Sequence, residues 1–196
     1  AGKQTRELIN QGRADYIPLF LSELPKLFRK GEQRVDTALV QVSPPDHHGN
    51  CSLGISVEAT AAACEVAGRI IAHVNPNMPR THGDSFLNVR QIHTAFESEE
   101  PLLAVGDRKA SAVESRVGAH VASLVEDGAC LQMGIGAIPD AALRCLGDHR
   151  HLGIHTEMFS DGVLPLIDSG VIDNSAKRVG RGRTVTSFAM GGAALY

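Results

Sequence analysis

Hydrophobic and polar positions change their period several times along this chain, and each change marks an element. Thr37-Ala38-Leu39-Val40-Gln41-Val42 is β-branched and mostly apolar, and Ser43-Pro44-Pro45-Asp46 breaks it, which predicts a buried strand followed by a loop over 43–50. Ser56 is placed to cap a helix, with Glu58 in its first turn, an alanine-rich stretch over 59–66 and Gly68 as its stop. Arg69–Val74 is again strand-like and ends at Asn75-Pro76. Strand, helix and strand in that order predict a βαβ unit on a parallel sheet with a right-handed crossover.

The acidic break Glu97-Ser98-Glu99-Glu100-Pro101, a short run over 102–105 and a polar stretch from Gly106 to Ser115 suggest a domain boundary near residue 106. The expected division is 1–105 and 106–196. Beyond it Val117, Val121, Leu124 and Val125 recur at i, i+4, i+7 and i+8, the stripe of an amphipathic helix that Asp127-Gly128 closes. A strand over 129–133, a helix from Pro139 to Gly147 and a strand over 152–156 form a second α/β unit. Glu157 then leaves the carboxyl end of a parallel strand, where open α/β sheets hold ligands. The last residues, Phe188 to Tyr196, form a strand-like run into Gly191-Gly192, and both ends of the chain read as cut.

Composition narrows the field of partners. At 196 residues, 43% apolar and 21% charged, the chain has the make-up of a soluble globular protein able to bury a core. A net charge of -3, no long Lys/Arg run, and only six Phe and two Tyr with no Trp argue against nucleic acid as a partner. No apolar run approaches the ~18 residues of a membrane span, and no leader pattern is seen, so a cytosolic protein that does not enter membranes is expected. The four cysteines, Cys51, Cys64, Cys130 and Cys145, lack metal-knuckle spacing and read as reduced, mostly buried residues. The nine histidines lack the His-Glu-x-x-His spacing, and no metal site is expected.

Two segments carry candidate chemistry. In Leu131-Gln132-Met133-Gly134-Ile135-Gly136-Ala137-Ile138-Pro139-Asp140 a strand enters a Gly-x-Gly turn and a helix. Its glycines admit a ligand close to the backbone, and free amides at the helix start can hold an anion; a plain tight connection explains the same residues. Pro139 stands where a dinucleotide fingerprint needs its third glycine, which disfavours nicotinamide binding. In Gly153-Ile154-His155-Thr156-Glu157-Met158-Phe159-Ser160-Asp161-Gly162 a lone glutamate sits in a polar rim, where it can serve as nucleophile or general base, or remain a surface carboxylate.

These two segments, together with Val42-Ser43-Pro44-Pro45-Asp46 through Gly49, Cys51-Ser52-Leu53-Gly54, and Val74-Asn75-Pro76-Asn77-Met78-Pro79-Arg80-Thr81 with Gly83-Asp84-Ser85-Phe86, resemble the acetyl-CoA hydrolase/transferase family, which includes 4-hydroxybutyrate and related CoA-transferases. The resemblance runs over almost the whole chain but only over the middle of a family member. It implies two open, mostly parallel-sheet α/β domains, both incomplete here. It also implies Glu157 as a nucleophile passing through a covalent glutamyl-CoA thioester, and Gly134, Ile135, Gly136, Ala137 and Ile138 as a coenzyme A loop. Coenzyme A is then a substrate, no further cofactor is needed, the partners are acyl-CoA and small carboxylic acids, and a homo-oligomer is expected. An acetyl-CoA hydrolase and a non-catalytic coenzyme A-binding module are the alternatives. Ser43, Pro44, Asp46 and Gly49 either line the cleft or form a rigid turn, and Arg80 either meets a carboxylate or anchors its loop.

Overall fold

In a computed structural model, which describes residues 3–104 and 110–196, the chain builds two three-stranded parallel sheets, each backed by helices, and a small antiparallel pair. The α/β class is as expected. The boundary foreseen near residue 106 lies outside the described residues.

The first sheet has the order β1-β3-β5, from Thr37–Val42, Arg69–Val74 and Thr94–Glu97. β1 and β3 pair over all six rungs, from Thr37 with Arg69 to Val42 with Val74. Their alternating Ala38, Val40, Val42, Ile70, Ala72 and Val74 pack with Cys64 of helix α3 (Glu58–Val66) into one core. The same core takes Cys51 and Leu87 from the antiparallel pair β2 (Asn50–Ser52) and β4 (Phe86–Asn88). Two short helices, α1 (Lys3–Asn10) and α2 (Leu24–Arg29), precede β1, and α2 is tied to α3 by a bidentate pair of Arg29 with Glu65 at 2.6 and 2.9 Å.

Three expectations fail in this half. Ser56 is not the cap of α3: Val57 holds that position with no side-chain cap, and the Ser56 hydroxyl donates instead to the Glu58 carboxylate. The loop expected over 43–50 gives way at its end to β2. Glu97, read as part of an acidic break, is the last residue of β5, an edge strand whose four residues are all exposed and so show no alternation.

The second sheet has the order β6-β7-β8, from Cys130–Leu131, Gly153–Phe159 and Val185–Ala189. Ile154, Leu152, Leu143, Leu146, Val163 and Leu166 are its core, with Ala122 from α4 (Ala112–Ala122). A capping box between Ser111 and Glu114 starts α4, which stops at Ala122; Leu124, expected on its buried stripe, is 84% exposed. α4 crosses α5 (Ala137–Arg144) so closely at Gly118 that a Cβ there would lie 2.6 Å from the Ala141 carbonyl carbon. α6 (Leu164–Asp168) closes the same core. Cys51 and Cys64 are buried as expected, but Cys130 and Cys145 are exposed.

The entry to β7 is held by side chains before β8 arrives beside it. Asn174 Oδ1 accepts from Ile154 N–H at 2.9 Å, and the buried Lys177 ammonium donates to Ile154 O and Arg183 O at 2.6 Å each. Gly153 makes room for this: an added Cβ would meet Lys177 Cγ at 2.5 Å. From His155 onward β8 takes over the pairing. The two halves meet along the outer edge of β8, where Ala189 N–H donates to Ile55 O (2.9 Å) and Val57 N–H to Ser187 O (3.1 Å).

Candidate active site

Glu157 lies within β7, which continues to Phe159 rather than ending at Thr156. The alternation of β7 buries Ile154, Thr156 and Met158 toward α4 and α5 and turns His155 and Glu157 to the exposed face. The Glu157 backbone is held firmly: its carbonyl accepts from Thr186 Oγ1 at 3.0 Å and from Ser187 Oγ at 2.8 Å. Neither hydroxyl was singled out in the sequence, where they are two unremarkable residues of a strand.

The Gly-x-Gly segment runs alongside. β6 and β7 pair at Cys130 with Gly153 and Leu131 with Ile154, and the Thr156 hydroxyl extends the contact by accepting from Met133 N–H at 2.9 Å. Gly134 and Glu157 are the next residues along their chains, so the two segments singled out by sequence travel side by side past the end of the β6 pairing. The helix starts earlier than expected: Gly136 is its N-cap, Ala137 its first residue, and Pro139 sits inside the first turn. Gly136 has φ 115, a conformation costly to any residue with a Cβ, and an added Cβ would find open space there. The amides of Ala137 and Ile138 lie outside the intrahelical ladder and can serve an anion. Ile135 and Ile138 are exposed, while Ala137 is buried. An apolar groove of about 230 Å³ opens beside this segment between α4 and α5, lined by Val121, Met133, Gly134, Ile138 and Pro139, on the face to which Thr156 points.

Asp161 follows in a single 3-10 turn and accepts from Gly192 N–H at 2.7 Å, fixing the Gly191-Gly192 turn beside it. Its buried Oδ1 and the neighbouring Ser160 hydroxyl have no hydrogen-bond partner among the described residues. The proline-rich loop resolves as a rigid turn. Asp46 Oδ1 accepts from His48 and Asn50 amides at 2.9 and 2.8 Å, and Arg80 pairs with Asp46 Oδ2 and donates to Asn50 O at 3.0 Å. The Asn50 amide, above all, holds the Asp46 carboxyl below its usual range. Arg80 is thereby the anchor of this loop, stacked over Phe86 at 4.9 Å. Ser43, behind the turn, is buried and accepts from Ser52 N–H at 2.9 Å. Among the described residues no three His, Cys, Asp or Glu side chains are grouped so as to hold a metal ion, and no helix is long and apolar enough to cross a membrane.

One acidic residue that sequence reading treated only as a helix-start residue also belongs to this region. Glu58, at the start of α3, is half-buried and feels the charge of Glu157. The only signal for it was Ser56-Val57-Glu58 ahead of an alanine-rich helix, which reads equally well as ordinary capping.

A parallel α/β framework with a carboxylate on an exposed strand face beside a glycine-opened helix start defines a class, and residues 1–107 match the model of the acetyl-CoA hydrolase/transferase N-terminal domain; the chain belongs to that family. Within it, the chain is 50% identical over 195 residues to a 4-hydroxybutyrate coenzyme A transferase of Clostridium kluyveri, covering all of this chain and 46% of that protein. It is 48% identical over 191 residues to a succinyl-CoA:acetate/propanoyl-CoA:succinate CoA transferase of Fasciola hepatica, covering 97% of this chain and 40% of that one. The crystal structure of a 4-hydroxybutyrate CoA-transferase from Porphyromonas gingivalis superposes with a TM-score of 0.88 at 40% identity, over all of this chain and 50% of that one. The chain thus spans about half the length of the relatives it matches.

Proposed function

We propose that the protein takes part in moving coenzyme A between carboxylic acids, with Glu157 as the nucleophile. The observation that carries this reading is the Glu157 side chain on the open face of β7, its carbonyl pinned by two hydroxyls, one residue beyond the contact that binds β7 to the Gly134 segment. Relatives named as CoA-transferases at 50% and 48% identity support a transferase over a hydrolase.

The chemistry closes on the chain's own carboxylate. A Glu157 oxygen attacks the acyl-CoA carbonyl, the C–S bond breaks, and the thiolate leaves a mixed anhydride. The thiolate then attacks the glutamyl carbonyl, breaking the C–O bond and releasing the first carboxylate, so that coenzyme A is held on Glu157 as a thioester. A second carboxylate reverses both steps. No electron is gained or lost, and coenzyme A is a substrate throughout. A carboxylate is a weak nucleophile in water, so positioning must supply much of the rate. The fixed β7 backbone serves that need, and the amides of Ala137 and Ile138, with the open space at Gly136, suit the binding of coenzyme A or of a developing oxyanion.

The test is trapping. Full-length enzyme given acyl-CoA without an acceptor acid accumulates coenzyme A or acyl on Glu157, located by peptide mass mapping after hydroxylamine or borohydride, and Glu157→Gln abolishes adduct and turnover together. Normal turnover with an unmodified Glu157 would overturn the assignment. Thiol release that does not depend on an added carboxylate would point to the hydrolase instead.

A further inference from the structure

The Thr156 hydroxyl takes no part in the steps above, yet it stands between the two segments that carry them. The register that pairs Cys130 with Gly153 and Leu131 with Ile154, carried on by two residues, sets Met133 opposite Thr156. β6 has ended by then, at Leu131, and a side chain makes the tie that a strand rung would have made. Thr156 Oγ1 accepts from Met133 N–H at 2.9 Å and lies 3.0 Å from Met133 O. One hydroxyl thus meets both main-chain groups of Met133. Its single hydrogen is shared between Met133 O and Met158 O, which is also 3.0 Å away.

The Thr156 side chain is 5% exposed and turned to the face that α4 and α5 cover. A chain that bonds this hydroxyl through both its N–H and its C=O has left the plane of the sheet on that side. β6 therefore peels away from β7 toward α5 at Met133, one residue before Gly134. Beyond that point the strand with the nucleophile and the segment that starts α5 separate. Glu157 is held from β8, where Thr186 and Ser187 donate to its carbonyl, whereas the amides of Ala137 and Ile138 ride on α5. Thr186, the register partner of Thr156, turns its hydroxyl in the same way, to the carbonyl two residues on at Phe188 (2.9 Å) and to the neighbouring strand at Glu157 O (3.0 Å). One threonine thus fixes the nucleophile strand from β8, and the other ties that strand to the Gly134 segment.

We propose that Thr156 is a positioning residue of the reaction, whose hydroxyl sets the spacing between the Glu157 carboxylate and the amides that meet the substrate. The inference rests on the assignment of Glu157 above. Attack needs a carboxylate oxygen within about 3–3.5 Å of the thioester carbon. The oxyanion that then forms needs its donors about 2.7–3.1 Å away. Both conditions hold at once only if nucleophile and donors keep a fixed separation, and they sit on segments that no longer share rungs. Valine has the shape of threonine without its oxygen. At position 156 it would face the Met133 N–H and C=O with a methyl group, and a part-buried chain stripped of both partners shifts to find others. The Gly134 segment moves with Met133, while Glu157 stays where β8 holds it.

The experiment is single-turnover trapping on the full-length enzyme and its Thr156→Val and Thr156→Ser variants. Each is mixed with saturating acetyl-CoA without an acceptor acid and quenched over a series of times, and the adduct on Glu157 is counted by peptide mass mapping. The first-order rate constant reads positioning, whereas the final amount of adduct reads how much of the protein is folded, the quantity a purely structural residue would change. Thr156→Val lowers the rate constant about a hundredfold at an unchanged final amount, the loss expected of a misplacement of about 1 Å. Thr156→Ser, which keeps the hydroxyl, stays within about threefold of the parent. Should Thr156→Val not fold, Thr156→Cys makes the same comparison, because a thiol is a weak donor and a weak acceptor, with a loss of about tenfold. A rate constant in Thr156→Val, or in Thr156→Cys where it takes that place, close to the parent's overturns the proposal. So does a smaller amount of adduct at an unchanged rate, or an equal loss of rate in Thr156→Ser. The parent enzyme separates the two readings: an adduct there upholds the nucleophile whatever the variants do, whereas turnover with no adduct overturns both.

Discussion

Replacing Gly118 by alanine should destabilise the protein, although the same change on an open helix stabilises. The added Cβ would lie 2.6 Å from Ala141 C, 2.7 Å from Ala142 N and 2.8 Å from Ala141 Cβ. Two of these atoms are main chain, so no rotamer change relieves the contact, and α4 must back away from α5 by roughly 1 Å to reach ordinary carbon–carbon separation. Overpacking of this kind costs about 1–3 kcal/mol, and backbone obstruction puts Gly118 near the upper end. Against that stands a helix-propensity gain of about 1 kcal/mol for alanine over glycine. The net is a loss of about 2 kcal/mol, or a Tm lower by about 4–8 °C for a chain of this size. Gly147 is the control: an added Cβ meets nothing within 4 Å, and Gly147→Ala should be neutral or stabilising by up to about 1 kcal/mol. Urea and thermal unfolding followed by far-UV circular dichroism measure both. A Gly118→Ala protein as stable as its parent, or a Gly147→Ala protein equally damaged, would refute the close α4–α5 contact. Because α5 begins at the segment proposed to hold coenzyme A, that proposal further predicts that Gly118→Ala weakens coenzyme A binding by the full-length enzyme, measured by titration calorimetry.

Two further outcomes follow from burial and charge. With Ellman's reagent under native conditions, Cys130 and Cys145 should react quickly and Cys51 and Cys64 only on unfolding, the Cys64 thiol being pushed up to about 11 by burial; four equally fast thiols would contradict the first core. The Asp173 carboxyl, held down to about 2 first by the Ser175 amide and then by His151 and the Ser175 hydroxyl, is more acidic folded than unfolded, so its contribution to stability is full above the ordinary carboxylate range and is lost as pH falls through about 2. An NMR titration of Asp173 with an ordinary midpoint would refute that cluster, and Asp173→Asn should flatten the acid limb of stability.

What was legible in the sequence was whatever one face of one element records. β1 and β3 alternate cleanly because one side is core, and their pairing into a parallel unit followed from the helix between them. The Gly134 segment and Glu157 were legible because glycine, proline and a lone acid in an apolar frame are unusual locally. What stayed hidden depended on distant partners. β5 has no buried face to give a period, and β6 is shortened to two residues because the Thr156 side chain, rather than a strand rung, holds Met133. Ser56 followed the rules of a cap and was instead recruited by Glu58. No local pattern could tell that Glu58 would come within the field of Glu157, a hundred residues away along the chain.

The side chains that guard the entry of β7 bear on which way the nucleophile faces. In a strand, sliding by one residue exchanges its two faces, so a slipped β7 would turn Glu157 inward against α5 and push Thr156 out. Main-chain pairing alone tolerates such a slip, since every rung offers the same amide and carbonyl. Asn174 and Lys177 do not: both reach for Ile154, one for its amide and one for its carbonyl, and the bare flank of Gly153 leaves the room that the lysine stem needs to pass. Together they act as a key that fits one notch of the strand, and the outward aim of Glu157 is settled three residues before the chain reaches it.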